Sequence, residues 1–241
     1  MKKVFFAVIL VLVIALMLPA DVYIKTNVHT DAFTMMGKEQ PAKDEVMEQW
    51  VGNNQLVNKT GDKIMIMDMN KKMMFIVNPK DKTYVETALP LDMSILLPKE
   101  AASMVSMMKV TVKVAANGQT KKVNKWSCSG YDVEMSMMMM QMKMKVWATT
   151  DVPFDWKMFA KMYANVSKMS FMDDAAIGEL MKINGYQVAS EMTMDMMGSK
   201  LNVTSQVVEI TQKPAPAGIY AVPAGYTKKD KLSMEDMRSG R

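Results

Sequence analysis

From residue 140 to 146 the chain runs Met-Gln-Met-Lys-Met-Lys-Val, and from 192 to 196 it runs Met-Thr-Met-Asp-Met. Strict alternation of apolar and polar residues puts the two kinds on opposite faces only if the backbone is extended. A helix would smear Lys143 and Lys145 around its whole circumference. The same alternation opens the chain after residue 20: Val22, Ile24, Thr26, Val28 and Ala32 against Lys25, Asn27, His29 and Asp31. These stretches predict half-buried strands of an antiparallel sheet.

More strand-like runs follow at 45–51, 54–59, 63–69, 73–77 and 83–88, separated by Gly52-Asn53-Asn54, Gly61-Asp62, Asn70-Lys71-Lys72 and Asn78-Pro79-Lys80-Asp81. Such joints are turn chemistry, so this half reads as a meander of hairpins, after a loop around "MMGKEQPAK". Residues 91–109 read as helix, with Pro98 dividing it or starting its second part. Strands resume at 109–115, 120–128 and 131–149. A helix fits 155–169, with Trp156, Phe159, Met162, Tyr163, Val166 and Met169 on one face and Lys157, Lys161 and Lys168 on the other. A short helix at 173–183 ends at Asn184-Gly185. Strands at 186–197 and 199–211 pair about Gly198. "KPAPAG" (213–218) is a stiff connector, 219–226 supplies a last short strand, and the polar tail from Thr227 frays. The expected architecture is mainly β: one large antiparallel sheet that must curl or be covered, with the helical insertions as its cover.

Residues 1–20 serve another purpose. Lys2 and Lys3 precede an unbroken apolar run from Val4 to Leu18, then Pro19-Ala20. This is the pattern of a secretory signal peptide, and the run is short for a bilayer span. The expected organisation is therefore a signal peptide at 1–20, one domain at 21–226 and a tail at 227–241, exported to the periplasm or secreted. Cys128 is the sole cysteine, so no internal disulfide staples the chain. Its expected role is that of a small buried residue. The formal charge is +5, with acidic and basic residues interspersed, which argues against a nucleic-acid partner.

The order of these elements, with "DVYIKTNVHTDAF" at 21–33, "GYDVEM" at 130–135, "KVWATTDVPFDW" at 145–156, "INGYQV" at 183–188 and "VPAGY" at 222–226, resembles the bacterial exported proteins of domain-of-unknown-function family 4412. That family looks related to the lipoprotein-carrier superfamily, the LolA/LolB-like fold. The resemblance implies an open, strongly curved antiparallel half-barrel whose concave face is plugged by helices and takes up acyl chains. It supplies no catalytic residues.

The chain carries 32 methionines. In "EMSMMMMQMKMKVW" (134–147), Val133, Met135 and Met137 share one parity, while Met138, Met140, Met142, Met144 and Val146 share the other. A regular strand cannot switch sides, so a β-bulge or sharp bend is expected between Met137 and Met140. Met65, Met67 and Met69 alternate likewise. Methionine faces have three physical uses: plain core, the lining of an adaptable cavity for apolar ligands, or soft-metal binding through thioethers. The expected ligand-binding set is Met65, Met67, Met138, Met140, Met142, Met144, Met192, Met194 and Met196, with Trp156, Phe159 and Met162 from the helix. The expected partner is a lipid or other hydrophobic small molecule, and peripheral contact with a membrane surface fits that role. The alternative is Cu(I) or Ag(I) held by the Met-x-Met strands. No nucleophile elbow, phosphate loop, Cys-x-x-Cys or His-based metal motif is present, so neither catalysis nor a cofactor is expected.

Overall fold

The computed structural model describes residues 21–35, 37–89, 110–137, 140–167, 172–196 and 199–232, without the side chains of residues 35, 164–167 and 196. The signal peptide, the helix expected at 91–109 and Met138 lie outside these residues.

One twelve-stranded sheet dominates, curved and not closed into a barrel. Strands β4 (Lys43–Gly52), β5 (Gln55–Thr60), β6 (Lys63–Asp68), β7 (Met73–Asn78) and β8 (Thr83–Ala88) form one meander. Strands β9 (Val110–Val123), β10 (Trp126–Met137), β11 (Met140–Thr149), β12 (Tyr186–Met196) and β13 (Ser199–Gln212) form another. The opening strand, β1 (Val22–Thr30), joins them: Ile24 stands opposite Gln49 of β4 on one side and Ile210 of β13 on the other. The remaining strands are a small separate hairpin, β2 (Phe33–Met35) with β3 (Lys38–Gln40), inside the segment expected as loop, and an edge strand, β14 (Thr227–Lys229). Helix α1 (Trp156–Ser167) and helix α2 (Asp174–Leu180) are inserted between β11 and β12. No helix among the described residues is long and apolar enough to cross a membrane.

Four local expectations are corrected. The single strand expected at 131–149 is two: of the bulge or sharp bend expected between Met137 and Met140 the structure has the bend, a full chain reversal that sets Met137 opposite Met140 as β10 pairs with β11. Asn117-Gly118 does not end a strand. It lies at a register shift inside β9, with Gly118 at φ +71°, and the true turn is at Asn124, φ +51°. Gly130 explains the shift. A Cβ there would lie 2.5 Å from Asn117 Oδ1 and 2.9 Å from the Trp147 ring, so the bulge uses the space a side chain would fill. Residues 219–226 form turns rather than a strand. The polar tail does not fray at once: Thr227–Lys229 pairs parallel with β8, and Leu232 is buried.

Both faces of the sheet are covered near β1 and β4–β8. One face packs Ile24, Val51, Leu56, Met67 and Met74 beneath α1. The other packs Tyr23, Trp50, Val57, Ile66 and Val77 beneath Ile219, Tyr220, Val222 and Tyr226. The connector is thus also a cover, clamped by Lys213, whose Nζ lies 3.7 Å from the Tyr23 ring centre and 5.3 Å from that of Trp50. At the other end α2 covers Val114, Tyr131, Val133 and Val146 with Leu180 and Ile183. Its Glu179 accepts the Val114 amide at 3.0 Å, which satisfies one exposed donor of the edge strand. Cys128 is buried and unpaired, and burial pushes its thiol pKa up.

Candidate functional site

Two aspartates set the helices over the sheet. Asp155 Oδ1 accepts the Lys157 and Met158 amides at 2.9 and 3.1 Å, and Asp173 Oδ1 accepts that of Ala176 at 2.8 Å. Each satisfies donors that a helix start leaves orphaned. Lys157 and Lys161 face solvent, and the opposite side of α1 turns Phe159, Met162 and Tyr163 inward.

A cavity of about 330 Å³ remains between α1, α2 and the sheet. Its walls are apolar: Trp156, Phe159, Ala160, Ile177, Leu180, Met181, Val188 and Val207. Its floor is polar. Gln49 Nε2 donates to Asn58 Oδ1 at 2.6 Å and to the Tyr163 hydroxyl at 2.5 Å, and Gln49 Oε1 accepts from the Tyr186 hydroxyl at 3.3 Å. Gln49 is 3% exposed, and these bonds use both of its amide hydrogens and give its carbonyl oxygen a partner, as burial demands. Desolvation holds both tyrosine pKa values above the usual range, so the hydroxyls stay neutral. Ser205, paired with Ser190 at 2.7 Å, completes the polar side.

A second cleft of about 540 Å³ lies on the far side of Phe159, lined by Val22, Val51, Met69, Phe154, Met158 and Met162. Phe159 borders both spaces. Its ring lies 4.7 Å from Tyr163, 5.1 Å from Tyr186 and 5.7 Å from Phe154, tilted or edge-on in each case. Such a cluster fixes the ring in place.

The expected ligand-binding residues do not form one lining. Trp156 and Phe159 border the cavity, and Met162 borders the second cleft. Met65 and Met67 are core beneath α1, with Met67 fully buried. Met140, Met142, Met144, Met192 and Met194 gather on β11 and β12, away from both spaces. The methionines that do border the cavity, Met47 and Met181, were missed by the sequence reading because neither belongs to an alternating tract. Among the described residues no group of three His, Cys, Asp or Glu side chains could hold a metal. His29 instead sits between Asp44 Oδ1 at 2.7 Å and Asp31 Oδ1 at 3.2 Å.

The model of the family described as "Domain of unknown function (DUF4412)" matches residues 25–226. No curated protein matches the chain. Among solved structures, a DUF1329 family protein from Desulfovibrio piger is similar at 8% identity and a TM-score of 0.30, covering 87% of this chain and 92% of that one. The family match extends from the opening strand through both meanders, the two helices and the connector: the chain belongs to the DUF4412 family.

Proposed function

We propose that this protein is an exported, non-catalytic carrier holding a lipid or single acyl chain between its helices and its curved sheet, in the manner of the LolA/LolB-like carriers that its sequence resembles. The observation that supports this reading is the cavity under α1 and α2. It sits at the lower end of the ~300–1,000 Å³ range of small-molecule sites, and it has their usual make-up of apolar walls with a few fixed polar groups. Trp156, Ile177, Leu180 and Val207 would take the apolar part of the ligand. Gln49, Tyr163 and Tyr186 would meet a polar head at the floor. All three are neutral, so an uncharged or protonated head suits them better than a fully ionised one. Export follows from the basic start and apolar run at 2–18. Helix α1 rests on the sheet through an aromatic cluster and the Tyr163 hydroxyl, which accepts from Gln49 and Asn58, and its movement would admit the ligand.

The test is displacement of an apolar fluorescent probe by fatty acids of graded length, with wild type and Ala160→Trp compared. Ala160 borders the cavity on α1, and an indole there fills it. The expected result is saturable displacement by wild type and its loss in the variant at unchanged fold. Equal binding by both proteins, or none by wild type, refutes the reading.

A further inference from the structure

A second site stands apart from the cavity, on β10, β11 and β12. We propose that Met135, Met142, Met144, Met192 and Met194 form a thioether site for one soft monovalent cation, Cu(I) or Ag(I). The register brings them together. Met142 stands opposite Met135 on one side and Met194 on the other, and Met144 stands opposite Met192. Directly opposed residues on one face have Cβ atoms about 4.5–5.5 Å apart, and Met142 and Met144 lie about 7 Å apart along their strand. Flexible thioether arms of that spacing converge on a single ion from three or four corners.

All five are half-buried, whereas Met67 is fully enclosed. Met135 and Met144 pack against the cluster of Val114, Tyr131, Val133 and Val146, and the partial exposure of all five leaves part of each side chain reachable. Strand preference does not select methionine either, since β-branched and aromatic residues fill such positions best. Within β11, Lys143 and Lys145 alternate with the methionines and so point to the other face of the strand. Thioethers have no proton to lose, so binding would not compete with protonation, and soft sulfur donors select Cu(I) over hard divalent ions. Neither His29 nor Cys128 belongs to the site. His29 is held by two aspartates, and Cys128 is buried on the opposite face.

The experiment is a titration of the full chain with Ag(I), and with Cu(I) against a Cu(I) chelator of micromolar affinity. Two variants accompany it. One carries Met142→Leu, Met144→Leu, Met192→Leu and Met194→Leu, which keeps apolar volume and removes sulfur. The other carries His29→Gln and Cys128→Ser. One equivalent bound by wild type and by the His/Cys variant, with competition lost in the leucine variant, is the expected result. Should the leucine variant misfold, methyl-labelled methionine spectra of wild type decide: Ag(I) must shift the signals of these five residues and leave that of Met67 in place. No competition by wild type, undiminished binding by the leucine variant, loss in the His/Cys variant, or unshifted methyl signals overturns the proposal.

Discussion

Gln49 donates to the Tyr163 hydroxyl at 2.5 Å, and this bond ties strand β4 to helix α1 across the floor of the cavity. It is the polar counterpart of the aromatic packing around Phe159. The same hydroxyl accepts from Asn58 Nδ2 at 3.4 Å, so a single change on the helix removes both bonds. Tyr163→Phe removes only the hydroxyl and should cost about 1–2 kcal/mol, since the side-chain amides of Gln49 and Asn58 both lose an acceptor. Amide hydrogen exchange in residues 156–167 should accelerate while that in β4–β6 stays slow. Unchanged exchange in the helix would show that the bond does not hold it.

Phe159 is the partition between the two spaces. Phe159→Ala should merge them and lower unfolding stability by about 3–5 kcal/mol, the usual cost of truncating a buried aromatic. Denaturant titration reads the loss. The same variant should accept longer acyl chains than wild type in the displacement assay.

Gly185 joins α2 to β12 at φ +132°, where a Cβ would lie 2.6 Å from the Thr149 carbonyl oxygen. The obstacle is backbone, which cannot swing aside. Gly185→Ala should destabilise by at least about 1–3 kcal/mol. Gly178→Ala, inside α2 and with nothing within 4 Å of the added carbon, should instead be neutral or slightly stabilising. Thermal melts of the pair test the contrast.

The hydrogen bond to Asp44 raises the His29 pKa above its usual 6.5, with desolvation opposing it and Asp31 adding a smaller push upward. The protonated ring therefore favours the folded state. Its stabilising contribution is fully present below pH 6.5 and fades as pH rises through the folded-state pKa. An NMR titration of the ring should give a midpoint above 6.5, and Asp44→Asn should bring it down. A wild-type midpoint at or below 6.5 contradicts this geometry.

Period-two alternation made the sheet legible, because it has no other explanation along 22–32, 63–69 or 186–196. The sites of reversal were harder. Asn117-Gly118 lies in the gap between the strands expected at 109–115 and 120–128, yet Gly130 on the neighbouring strand leaves room for a bulge, and only the pairing partner reveals that. The sequence between Met137 and Met140 contains no Gly, Pro or Asn, so its parity break reads equally as a bulge or a sharp bend. The second covered face was also hidden. Tyr23 and Trp50 are large and apolar on a face otherwise carrying Lys25 and Asn27, and their cover comes from Ile219 and Tyr220, far along the chain. That Trp156 and Phe159 face the sheet was legible from helix periodicity. Gln49 was not, since one glutamine in a strand gives no sign of the tyrosines it will meet.

The most direct measurement is native mass spectrometry of the protein purified without detergent, before and after solvent extraction. The carrier account predicts a population with one added apolar mass that is removed by extraction and restored by lipid. A single sharp mass of the bare chain, with nothing extracted and no gain on adding lipid, would contradict it.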